Sequence, residues 1–371
     1  MFHTHLRAGA LLVLPARDRA RSTRIRQRMK RFAWVLLAPL MTQAANYSAK
    51  KSAVEGIEVI ELADRAHAAE VSIVPSIGNL AYEFKVHGKN ALWFPFRSLA
   101  EFKAKPALCG VPFLAPWANR LDQDAFYANG KKYLLNPDLG NLRRDQNGKP
   151  IHGLLMFSPH WKVTKLDADD GSARVTSRLE FWRYPDLMAQ FPFAHNMEMT
   201  YRLANGALEV ETVLENQASE PMPVADGFHP YFQVPDIPRD QCKVHVAARE
   251  HLELSPELVP TGERKPVNFP EPVSLATTKL DDVFSNLVRG SDGRSTFWVK
   301  GNGKRISVIY GPKYTVAIIY APPGQNFICF EPMSAITNAF NLSHRGIYKE
   351  LQSVPPGGTW RESFWIETSG F

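Results

Sequence analysis

From about residue 50 onward, apolar and polar residues alternate in short runs separated by turn formers, which is the period of half-buried strands. AEVSIV (Ala69–Val74) and LAYEFKV (Leu80–Val86) are the first two runs. The runs 161–166 and 173–182 flank Asp169-Asp170-Gly171, and the runs 196–203 and 207–216 flank Asn205-Gly206. Both spacers are hairpin signals, because Asn, Asp and Gly tolerate the positive φ that tight two-strand connections demand. Further runs follow at 296–300, 305–310, 315–320, 327–330 and 363–368, whereas helical periodicity is confined to a turn or two near 97–103. Many short strands at regular spacing predict an all-β fold, a large antiparallel β-sandwich with few short helices. No internal linker, repeat or low-complexity block interrupts the pattern, so 46–371 reads as a single domain. The proline-rich stretch 230–279 predicts long surface loops.

Composition adds one correction to a first impression. The 371 residues are 44% hydrophobic and 22% charged, as in folded globular chains. The net charge of +7 suggests a polyanion partner until it is located. Residues 1–45 hold eight arginines and one lysine against Asp18 alone, or +8, and the remaining 35 basic and 36 acidic residues leave −1. The body therefore offers no electrostatic reason to bind nucleic acid. From Met29 the leader reads MKRFAWVLLAPLMTQAA: a positive start at Lys30 and Arg31, an apolar run, then the small residues Thr42, Ala44 and Ala45. This is the layout of a secretory signal peptide, with Met29 as the true start and export, to the periplasm, as the expectation. The apolar run is about half of what a membrane-spanning helix needs, and no cysteine follows it, so no stable membrane anchor is expected. The three cysteines, Cys109, Cys242 and Cys329, are odd in number and widely spaced, and read as free buried thiols rather than a disulfide framework.

Five segments carry candidate chemistry. GVPFLAPWANRLD holds Asn119 and Arg120 in a stiff Pro- and Gly-containing loop, suited to presenting a guanidinium fork to hydroxyls or carboxylates. IHGLL places His152 before a glycine. DGFHPYF sets His229 between Phe228 and Pro230, with Tyr231 and Phe232 able to exclude solvent or stack on a ring. KLDDVFSN offers Asp281 and Asp282, whose side chains point to opposite faces if the segment is a strand, so that at most one enters a site. FICFEPMSAITNAF brings Glu331 out of an apolar strand, an environment that perturbs ionisation and suits a proton acceptor. Taken singly, each has a plain structural reading as a satisfied core histidine, a surface ion pair or a solvated turn. Zinc-binding spacings, a phosphate-binding glycine loop and a nucleophile elbow are all missing from the sequence.

Taken together and in order, ANRL, IHG, HPYF, LDDVF and FEPMSAITNAF, with the ending ELQSVPPGGTWRESFWIE, resemble the aldose 1-epimerase (mutarotase) family from about residue 66 to the C-terminus. The resemblance implies a galactose mutarotase-type supersandwich. It also implies His229 as general acid, Glu331 as general base, and Arg120, His152 and Asp281, with Asn119 beside Arg120, as the groups that hold a monosaccharide. Asp281 is chosen over Asp282 because the family's acid stands three before the phenylalanine. Two departures, LLMFSPHW after IHG and Pro230 where many members have threonine, bear on sugar preference.

The implied reaction interconverts the α and β anomers of a free aldose. The hemiacetal opens when a proton leaves the anomeric hydroxyl and another reaches the ring oxygen, the C1–C2 bond rotates, and the ring closes on the other face. A carboxylate and an imidazolium serve these transfers with no cofactor, so the expectation is a charged Glu331 and a protonated His229 near neutral pH. Three other readings share these residues: a non-catalytic carbohydrate-binding sandwich, a glycoside hydrolase or lyase pairing Asp281 with Glu331, and a hexose 6-phosphate epimerase with Arg143 and Arg144 on the phosphate. The sugar and the oligomeric state leave no mark in the sequence.

Overall fold

The computed structural model describes residues 45–371; apart from Ala45, the predicted leader lies outside them. Two large antiparallel sheets dominate, one of nine strands and one of eight. In the first, here called the cover sheet, the order runs Val273–Ser274, Lys243–His245, Ser295–Gly301, Lys304–Tyr310, Thr359–Ser369, Ala207–Asn216, His195–Ala204, Ala173–Glu180, Lys162–Ala168. In the second, the site sheet, it runs Pro260–Pro266, Ala248–Leu254, Leu280–Leu287, Val316–Ala321, Ile328–Met333, Gly227–Phe228, Phe113–Leu114, and Tyr231–Phe232 also pairs with Ile328–Met333. A five-stranded meander, from Tyr47–Val54 to Lys89–Asn90, precedes them.

The alternation read from the sequence is the alternation of burial. In Ala173–Glu180 every second residue is buried, and that face joins the core with Met199, Tyr201 and Leu203 of the neighbouring strand. Asn205 and Gly206 both take positive φ, 52° and 72°, and close the next hairpin as a tight turn. At the other predicted turn, Asp169 Oδ1 accepts the backbone N–H groups of Gly171 and Ser172, both at 2.9 Å. The two sheets meet through rings: Phe228 lies 4.8 Å from Phe364 and Phe297 lies 6.3 Å from Phe330, centroid to centroid. The helix near 97–103 is Leu99–Ala104. Ser98 Oγ accepts the Glu101 N–H at 3.1 Å while Glu101 reaches back to the Arg97 N–H at 2.8 Å, a cap that satisfies one open donor of the first turn and one just before the helix. No described helix is long and apolar enough to cross a membrane.

The stretch 230–279 keeps a loop of ten residues, 233–242, as expected, but holds more strand than the expectation allowed. It contains five strands: Tyr231–Phe232, Lys243–His245, Ala248–Leu254, Pro260–Pro266 and Val273–Ser274. Its prolines survive because Pro260 and Pro266 lie at the two ends of a strand on the edge of the site sheet, where one side needs no ladder donor. All three cysteines are free and buried, as read.

Candidate active site

Cross-strand register decides which side chains meet. Glu331 pairs with Ile318, and two residues away Cys329 pairs with both Tyr320 and Tyr231. Tyr320 in turn pairs with Asp281. Directly opposed residues share a face and the side-chain period is two, so Asp281, Tyr320 and Glu331 rise from one face of the site sheet. Asp282 goes to the other, where its carboxylate is 2.9 Å from His251 Nε2. The choice of Asp281 thus has a geometric reason.

His229 reaches the same place from a short crossing. Its backbone N–H donates to Pro112 at 3.0 Å and that of Tyr231 donates to Gly110 at 2.8 Å, fixing the segment on both sides of Pro230. The ring stacks on Tyr231 at 4.7 Å and 5°, with His152 edge-on at 5.5 Å. Its Nε2 lies 3.2 Å from Glu331 Oε1. Both residues are almost wholly buried, His229 at 6% and Glu331 at 1% exposure. Three buried atoms of the group, His152 Nδ1, His229 Nδ1 and Glu331 Oε2, have no hydrogen-bond partner. Polar atoms so buried ordinarily find partners, and three together describe a place prepared for a polar ligand.

Arg120 approaches from a loop. Its Nε donates to Asp145 at 2.6 Å and its Nη1 to Asn119 Oδ1 at 2.9 Å, which aims the guanidinium. The backbone there is costly: Asn119 and His152 are left-handed, at φ 56° and 63°. They hold one another, since the His152 N–H donates to the Asn119 carbonyl at 2.9 Å, and the Asn338 N–H donates to that of Arg120 at 2.9 Å. All six sequence-named residues converge. Of the two arginines considered for a phosphate, Arg144 is committed to Asp124 through two hydrogen bonds of 2.8 and 2.9 Å, whereas Arg143 lies over the ring of Phe157 at 5.5 Å, with its charge felt at His152.

The electrostatics differ from the sequence expectation in one respect. Burial pushes Glu331 well above the usual carboxylate range; Asp281 pushes it further and Arg120 opposes. Burial lowers His229 to about 3, with Arg120 adding to the shift. Both shifts favour a neutral carboxyl beside a neutral imidazole over a charged pair in the unliganded protein. His152 is also driven neutral, by burial first and then by His229, Arg120 and Arg143. Asp281 stays accessible to solvent at the mouth, and partial desolvation raises it while Arg120 lowers it.

Several neighbours escaped the sequence reading. Asp145, which orients Arg120, sits in RRDQNGK with nothing to mark it. Trp93, Tyr320 and Phe327 complete an aromatic wall with Tyr231: Trp93 is 4.6 Å from Phe327, and Tyr320 is 6.3 Å from His229. Among the described residues no group of three or more His, Cys, Asp or Glu side chains is placed to hold a metal ion.

A family model described as aldose 1-epimerase matches residues 58–367. The chain belongs to the aldose 1-epimerase family. A galactose mutarotase-like protein of Clostridium acetobutylicum superposes with a TM-score of 0.78 at 22% identity, covering 88% of this chain and 99% of that one. A Synechocystis protein follows with 0.67 at 26% identity, covering 84% and 96%. The galactose 1-epimerase of Lactobacillus acidophilus gives 0.68 at 14%, covering 88% and 99%. Likeness at such identities speaks for the fold.

In this aldose 1-epimerase family member, the separation of His229 and Glu331 depends on how closely their segments approach. Gly227 pairs with Met333. A Cβ on Gly227 would fall 2.2 Å from Met333 Sδ and 2.8 Å from the Pro332 carbonyl. Gly227→Ala is therefore expected to force the segments apart and cost roughly 1–3 kcal/mol, read as a lowered urea midpoint.

Asp226 makes a second expectation. It is 2% exposed, and neither carboxylate oxygen has a partner. Burial raises it to about 7. An unfolded aspartate titrates near 3.9, so from about pH 4 to pH 7 the folded chain binds more protons than the unfolded one, and stability declines as pH rises. Asp226→Asn removes that loss. Its urea midpoint should gain on wild type between pH 5 and pH 8, and an unchanged difference would contradict the assignment.

Proposed function

We propose that this protein interconverts the α and β anomers of a free aldose, with Glu331 and His229 as the proton-transferring pair. The observation that carries the reading is the buried 3.2 Å contact between them, beside unpartnered polar atoms of the same cluster. A binding module has no use for a buried carboxyl and imidazole set 3.2 Å apart, whereas opening a hemiacetal needs both.

A sugar entering the cluster exchanges the direct His–Glu contact for one bond from each group to an oxygen of the hemiacetal. Moving the resting proton from Glu331 to His229 gives the reactive form, in which Glu331 takes the anomeric proton and His229 protonates the ring oxygen. Ring closure reverses both transfers. Asp281, Arg120, Asn119 and His152 hold the remaining hydroxyls and the ring oxygen, and the half-exposed rings of Trp93 and Tyr320 face the apolar side of the sugar. No cofactor enters the scheme. The 6-phosphate reading loses Arg144 to Asp124 and keeps only Arg143, whose charge reaches His152. The leader's grammar supports export, which N-terminal sequencing of the mature protein tests.

Polarimetry of freshly dissolved glucose, galactose and other aldoses tests the activity: catalysed equilibration of at least one is expected, and none would overturn the proposal. The pH profile tests the pair. One shared proton gives a profile flat through neutrality, limited by a second proton at low pH and by loss of the only one at high pH. Because His229 is lowered to about 3, the acid limb should lie well below the ordinary histidine value of about 6.5. An acid limb at pH 6–7 would contradict this account of the pair.

A further inference from the structure

The face of the site sheet that carries Asp281 and Glu331 holds a second cleft farther along the same strands. Ser285 shares the face of Asp281 on Leu280–Leu287, and Val316 shares that of Tyr320 on Val316–Ala321. Ser285 and Val316 help line a cavity of about 500 Å³. Four strand residues separate Ser285 from Asp281, a distance of roughly 13 Å. The chain beyond Glu331 borders both places: Ile336 lines the cleft, and the Asn338 N–H holds the Arg120 carbonyl at 2.9 Å.

The lining is chemically specific. Arg264 bridges two carboxylates, donating to Glu250 at 3.5 Å and to Glu350 at 2.8 Å. Glu250 also accepts from Ser285 Oγ at 3.1 Å and Asn286 Nδ2 at 3.3 Å. Arg289 spends its Nη groups on the carbonyls of Gly293, Gly311 and Tyr314. The two arginines and two glutamates of the lining cancel in charge, so an anion gains no net attraction. Tyr348 is 2% exposed, lines the cleft, and has a hydroxyl with no partner. Ile336 and Val316 supply an apolar patch beside this polar set. A ligand that donates and accepts through several hydroxyls, carries no charge and offers C–H surface matches such a lining, and the volume is in the range of small-molecule sites.

We propose that this cleft is a second carbohydrate site, taking a neutral mono- or disaccharide independently of the His229–Glu331 pair. It stands whether or not that pair is catalytic. Calorimetric titration of the full-length protein with galactose and with maltose tests it, together with Arg264→Met, Tyr348→Phe and His229→Asn. At least one of the two sugars is expected to bind at a second place besides the His229–Glu331 cluster, read as a second binding event in wild type and in the His229→Asn variant alike. That binding should weaken tenfold or more in Arg264→Met and measurably in Tyr348→Phe, each variant checked for folding by circular dichroism, with mutarotation by these two variants unchanged. Inorganic phosphate should not compete. A single binding event, or a second one that ignores both Arg264→Met and Tyr348→Phe, would overturn the proposal, as would phosphate displacing the sugar or no binding of either sugar.

Discussion

Glu331→Gln is expected to remove nearly all catalysed mutarotation while leaving the protein folded. The glutamine keeps the shape of the side chain at the end of the Ile328–Met333 strand but neither accepts nor releases a proton. Positioned acid–base groups contribute roughly 10²–10⁴-fold, and the loss should fall at the upper end of that range, because in the proposed scheme the proton His229 delivers comes from Glu331. Stability should move the other way. The folded carboxyl titrates well above its unfolded value, so wild type loses stability as pH rises past about 4.3 toward the folded value. The glutamine variant has no such loss, and its thermal midpoint at pH 8 should equal or exceed that of wild type. Polarimetry with thermal melts at pH 5 and pH 8 reads both effects. Near-wild-type turnover would remove Glu331 from the reaction.

His229→Asn should cost a comparable factor, roughly 10²–10⁴-fold. On the proposed scheme the imidazole acts on the ring oxygen as charge develops there, so kcat and kcat/KM should fall together with little change in KM. Its stability signature mirrors that of Glu331. Folded His229 is lowered to about 3, and an unfolded histidine binds a proton below about 6.5. Wild type therefore loses stability as pH falls through that interval, and the asparagine variant should flatten the decline. A variant that raises KM alone would assign His229 to ground-state binding.

The sequence was most legible where both faces of a strand have fixed destinations. Ala69–Val74, Leu80–Val86 and Ala207–Asn216 begin and end where the alternation does. It was least legible where a strand lies at an edge or is very short. Tyr47–Val54 (YSAKKSAV) has only its first residue buried and shows no apolar period. Pro260–Pro266 likewise buries only its first residue. The hairpin of Ala125–Ala128 and Lys131–Leu134 turns on Asn129-Gly130, both at positive φ. Its Asn-Gly pair was a readable signal, but the flanking runs of four residues were too short to stand out.

The site was legible through its motifs, in their order along the chain. The convergence of Arg120, His152, His229, Asp281 and Glu331 rests on pairings between distant segments, which no local pattern encodes. The same holds for Asp145, whose meaning exists only once Arg120 lies against it at 2.6 Å. The location of the resting proton also depends on burial, and burial is a property of the assembled sheets rather than of DGFHPYF or FICFEP.

The central claim is that His229 and Glu331 work as one unit on one hemiacetal. A double-mutant cycle in the mutarotation assay, comparing Glu331→Gln, His229→Asn and the double variant, measures this directly. The double variant is predicted to be scarcely slower than the worse single variant, as groups acting as a unit require. Losses that multiply, each substitution costing its full factor in the presence of the other, would mean that the two residues act independently and that the pair is not the catalytic unit.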